Sequence, residues 1–76
     1  MIDQLSNEID KLGLSISEKQ IVEGVVMGLS NLEIANQTFK TESTIRLEFD
    51  EIKTKLGFES RAALIVNFLQ YINFYN

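Results

Sequence analysis

The residues whose types and spacing could do chemistry gather between Thr41 and Gly57. Ser43, Leu47, Asp50, Glu51 and Thr54 recur at the steps of three and four that share one face of a helix. Arg46 and Lys53 fall on one flank of that face, Lys55 and Glu48 on the other. Together with Thr44, the hydroxyls and cations of this set suit a duplex surface, where such groups hold phosphates and base edges. The acids work against it. Glu42, Glu48, Asp50 and Glu51 lie in the same segment. A carboxylate can accept from a cytosine amino group, but it must approach a strongly negative duplex, and two adjacent ones are costly. Their ordinary role is solvation of the helix, with Glu42–Arg46 and Glu51–Lys55 as favourably ordered pairs four residues apart.

Other chemistry finds little support. The chain has no cysteine and no histidine, so it has no disulfide and no zinc-type ligand set, and no metal or cofactor is expected. It has no glycine-rich phosphate loop and little room for a deep pocket. Asp50 and Glu51 are neighbours in sequence and diverge by about 100° around a helix, a poor acid/base pair. An enzyme is not expected. The net charge of −4 opposes non-specific nucleic-acid binding. No apolar run spans a bilayer and no basic-then-apolar segment opens the chain, so a cytoplasmic protein is expected.

Five helical segments must position these residues, in one all-α domain over 1–76. A short N-terminal helix occupies 1–13, where Ile2, Leu5, Ile9 and Leu12 form one apolar stripe, Asp3 opens the helix, Lys11 lies in its last turn and Gly13 closes it. This helix packs on the domain, pairs with a copy of itself, or frays. The next begins at Ser15 or Ser17 and has a broad apolar face of Ile21, Val22, Val25, Val26 and Leu29, with Gly28 as its stop. Ser30 and Glu33 have the spacing of a capping box, ahead of an inward-pointing Ile34 and Ala35. Residues 38–40 form a turn, and Thr41 caps a helix with the stripe Ile45, Phe49, Ile52 and Leu56, ended by Gly57. Ser60 caps the last helix, expected to run almost to Asn76. The core is expected to centre on Ile21, Val25, Ile34, Ile45, Phe49, Ile52, Leu56, Leu64 and Phe68.

The last helix is apolar on two sides. Leu64, Ile65, Phe68, Tyr71, Ile72 and Tyr75 face the core, while Ala62, Val66, Leu69 and Asn73 make a second stripe. That stripe is a dimer contact or is covered by the N-terminal helix.

Three blocks now stand in order: Gly28-Leu29-Ser30-Asn31-Leu32-Glu33-Ile34-Ala35, Thr41-Glu42-Ser43-Thr44-Ile45-Arg46 and Lys55-Leu56-Gly57-Phe58-Glu59-Ser60-Arg61. The chain resembles the LuxR-type, GerE-like helix-turn-helix family of bacterial transcription regulators, in a single-domain form. The resemblance covers 14–76 and implies a four-helix domain in which the segment opened by the Ser30 capping box is the first helix of the motif and the segment capped by Thr41 and ended by Gly57 the recognition helix. It implies that Thr44 and Arg46 meet phosphates, that Leu14-Ser15 and Glu18 serve the fold, that Phe39 plugs the turn, and that the last helix forms a dimer. Glu48 stands where the family usually has histidine, Asp50 and Glu51 where small, polar or amide residues are common, and Thr54 where a base is frequent. The candidate DNA-contacting residues are Ser43, Thr44, Arg46, Leu47, Asp50, Lys53, Thr54 and Lys55. The candidate dimer residues are Ala62, Val66, Leu69 and Asn73.

Two functions follow. One is a homodimeric regulator that binds double-stranded DNA weakly, because its recognition helix is acidic. The other keeps the fold without the DNA activity, pairing with a related regulator or presenting Glu48, Asp50 and Glu51 to a basic protein.

Overall fold

A computed structural model describes residues 2–71, and the side chains of all of these except residues 2, 3 and 70. Five helices succeed one another: α1 (Ile2–Asp10), α2 (Ile16–Val26), α3 (Asn31–Thr38), α4 (Glu42–Leu56) and α5 (Arg61–Phe68), the last continued by a 3₁₀ turn over Leu69–Tyr71. No strand occurs among the described residues. The all-helical expectation holds.

Short side-chain caps set the helix starts. Ser15, Ser30, Thr41 and Ser60 each accept from the backbone amide three residues on. At α2 and α3 the cap is reciprocal: the Ser15 amide donates to Glu18 Oε1 at 2.9 Å, and the Ser30 amide to Glu33 Oε1 at 2.8 Å. Glu18 therefore serves the fold, as its place after Leu14-Ser15 implied. Such a cap is worth about 1 kcal/mol, and in a core this small several of them matter. Gly57, at φ 82°, ends α4 in the left-handed region, where its amide donates back to Lys53 and Thr54.

Every helix feeds one core. Leu5 and Ile9 of α1 join Ile21, Val22, Val25 and Val26 of α2, Ile34 and Ala35 of α3, Ile45, Phe49 and Ile52 of α4, and Leu64 and Phe68 of α5. Of the expected centre, only Leu56 falls short: it is half-buried at the last turn of α4, packed against the core's edge. With Leu5 and Ile9 buried, α1 lies on α2 and on the 3₁₀ turn, so this helix packs on the domain. Lys11 falls just past the end of α1 and pairs with Glu8 at 2.9 Å. Ile72, Asn73 and Tyr75, and the expected continuation of the last helix to Asn76, lie outside the described residues.

Gly24 sits where α2 crosses α3. A Cβ there would stand 2.7 Å from Cγ1 of the buried Ile34, so the close approach depends on a missing side chain.

Candidate nucleic-acid interface

The motif's two helices, α3 and α4, pack on each other through the turn Phe39-Lys40-Thr41. Thr38 closes α3 by donating its hydroxyl to the Ile34 carbonyl at 2.8 Å. Phe39 then takes φ 59° and ψ 38°, a left-handed cap. This conformation turns its ring away from the core, and Phe39 is 96% exposed. The expectation that Phe39 plugs the turn is therefore wrong. Lys40 is the half-buried residue at this point: its Nζ donates to Ser17 Oγ at 2.6 Å and to Glu48 Oε1 at 2.8 Å. The turn is fastened to α2 and α4 by one ammonium group.

That contact changes the status of Glu48. It is half-buried and neutralised by Lys40, so it does not belong to a free acidic face. The acids left outward on α4 are Glu42, Asp50 and Glu51.

The outer face of α4 is otherwise as the periodicity drew it. Ser43, Leu47, Asp50, Glu51 and Thr54 are all exposed, opposite the buried Ile45, Phe49 and Ile52. Thr44 is half-buried, and its hydroxyl accepts from Thr41 Oγ1 at 2.9 Å. Thr54 donates its hydroxyl to the Asp50 carbonyl at 3.1 Å.

The cations are held. Arg46 meets Glu42 at 3.5 Å, and Lys53 meets Asp50 at 3.5 Å while lying over the Phe49 ring at 5.6 Å from its centroid. Lys55 does not pair with Glu51. It reaches across to Glu18 of α2 at 3.3 Å, which leaves Glu51 without an ion-pair partner among the described residues. Off this helix, Lys19 pairs with Asp10 and Lys11 with Glu8. Arg61 is bound differently. It donates to Asn31 Oδ1 at 2.7 Å and to the Leu29 carbonyl, with its guanidinium 5.4 Å from the Phe49 ring centroid. All seven basic side chains of the chain thus have partners, six of them carboxylates.

Two of these roles were hidden from sequence. The Lys40–Glu48 pair spans eight residues and a turn, a spacing no helical rule flags. Arg61 was visible only as part of a motif; its grip on the α2–α3 connection needs the packed fold.

The protonation equilibria follow the same contacts. The Ser15 amide, and after it Lys55, hold the Glu18 carboxyl below the usual carboxylate range. Hydrogen bonds to Asp10 and Glu8 raise Lys19 and Lys11 respectively.

On α5, Ala62 is exposed and Val66 is 64% exposed; Leu69, the first residue of the 3₁₀ turn, is 45% exposed. Ala62 and Val66 are thus left uncovered by α1 among the described residues, while α1 packs on the 3₁₀ turn that begins at Leu69. Asn73, the fourth candidate, is outside the described residues. No described helix is long and apolar enough to cross a membrane.

A family model described as bacterial regulatory proteins of the luxR family matches residues 12–68, a span that takes in α2, α3, α4 and α5. No curated protein and no solved structure matches the chain.

Proposed function

We propose that this chain, which belongs to the LuxR family of bacterial regulatory proteins, is a small transcription regulator that binds duplex DNA weakly, as a dimer. One observation carries the weakness. Each cation of α4 that would meet a phosphate is already held by a carboxylate: Arg46 by Glu42, Lys53 by Asp50, Lys55 by Glu18. Phosphates must displace these acids, and the released carboxylates then stand beside the duplex. Exposed pairs such as Arg46–Glu42 are worth only about 0.2–1 kcal/mol, so the competition weakens binding without forbidding it. Thr44 and Arg46 serve as phosphate contacts, Ser43, Leu47, Asp50 and Thr54 face the groove, and Lys53 and Lys55 flank it.

The dimer rests on Val66 and Leu69, apolar and exposed on a helix whose other side fills the core. Two-fold pairing of α5 and the 3₁₀ turn after it would bury them against their own copies.

Glu51, beside Asp50 and without an ion-pair partner among the described residues, favours a second reading, in which the acidic face meets a basic protein in place of DNA. A titration against mixed-sequence duplex DNA at low and moderate salt separates the two. Binding at low salt that fades as salt rises supports the regulator; no binding even at low salt supports the interaction protein.

A further inference from the structure

The outer face of α4 carries one large apolar side chain, Leu47, and it is 61% exposed. A solitary exposed leucine is ordinary on a protein surface. Its surroundings give this one meaning. Asp50 lies on the next turn of the same face, at the spacing that sets side chains about 5–6 Å apart. Ser43, Glu51 and Thr54 complete the face, and it presents no amide and no cation at its centre. The Thr54 hydroxyl proton is committed to the Asp50 carbonyl.

The chemistry of the major groove sorts the bases against this face. Guanine offers two acceptors and needs a donor such as arginine, whereas Asp50 would repel them. Adenine is best met by an amide. Thymine offers a C5-methyl group, for which an apolar side chain is the partner, and cytosine offers an amino donor, for which a carboxylate is the partner. We infer that α4 reads duplex DNA through a thymine methyl against Leu47, with an amino-bearing base, cytosine before adenine, against Asp50. This rests on the proposed DNA-binding function and adds the base chemistry of the same face. Bases are spaced about 3.4 Å along a strand, so the two contacts fall within one or two base steps of each other.

The test removes the methyl group and nothing else. Two mixed-sequence duplexes are compared at low salt, one with thymine and one with uracil at every such position. The wild type should prefer the thymine duplex by about fourfold for each methyl buried against Leu47. Leu47→Ala, whose shorter side chain withdraws from the methyl, should shrink that preference, weakening binding to the thymine duplex more than to the uracil duplex. Its melting temperature should stay close to the wild-type value, because an exposed helical leucine and alanine differ little. Equal binding of both duplexes by the wild type overturns this inference and leaves the DNA-binding function standing. A preference undiminished in Leu47→Ala also overturns it, because the methyl is then read elsewhere. Failure to bind either duplex overturns the functional reading, and this one with it.

Discussion

Lys55 of α4 meets Glu18 of α2 at 3.3 Å, and not Glu51 one turn before it on its own helix. The same Glu18 oxygen accepts from the Ser15 amide at 2.9 Å. One carboxylate thus caps α2 and ties the recognition helix to it, and this is why its pKa is lowered. A carboxylate with a lowered folded-state pKa stabilises the fold above its unfolded value, about 4.3, and loses that contribution as pH falls through the folded value. Glu18→Gln should therefore melt below the wild type at pH 7. The gap should close as the pH is lowered from about 5 through the carboxylate range. Thermal melts across that range check it; a gap independent of pH would place the effect outside ionisation.

Gly24→Ala should destabilise the fold. Alanine gains up to about 1 kcal/mol of helix propensity over glycine. Against this, its Cβ would press on Ile34, which is 1% exposed and has nowhere to move. Overpacking of this kind costs about 1–3 kcal/mol, so the loss wins. Urea unfolding measures the balance, and a raised midpoint would mean that α2 and α3 separate more easily than their packing implies.

Phe39→Asn should have the opposite sign. A non-glycine residue in the left-handed region costs about 1–2 kcal/mol, which asparagine relieves in part. The ring, 96% exposed, gives up little burial in return. A higher melting temperature is expected, and a lower one would show that the ring supports the turn.

The helices and most of the core were legible in sequence because they follow local rules. Ser30 with Glu33 and Thr41 with Gly57 mark helix ends by residue type alone, and the Ile45, Phe49, Ile52 spacing fixes which face of α4 is buried. The face itself was drawn correctly, but its electrostatics were not. Glu48 sits three residues from Ile45, so its backbone position was clear. Its neutralisation depends on Lys40, brought there by a turn whose shape follows from the backbone of Phe39. Hydrophobicity alone would bury Phe39; its left-handed dihedral exposes it. Likewise, periodicity offers Lys55 the partner Glu51, and only the docking of α2 beside α4 supplies the one it takes.

Leu69→Asp should yield monomers. Pairing of α5 with its copy would bury the new charge without a partner, a heavy cost. Light scattering at high micromolar concentration reads the state of both proteins. A monomeric wild type would show that Val66 and Leu69 are simply solvated.

The most direct test of the central claim, that carboxylates of the recognition helix hold back its DNA binding, is a duplex titration of the paired variant Asp50→Asn, Glu51→Gln at two salt concentrations. The substitutions remove two charges from exposed positions and leave the buried face of α4 untouched. Affinity for mixed-sequence duplex should rise above the wild type, and the gain should shrink at higher salt, where screening already mutes the repulsion. An affinity unchanged at both salts would contradict the claim, because the acids would then stand away from the phosphates.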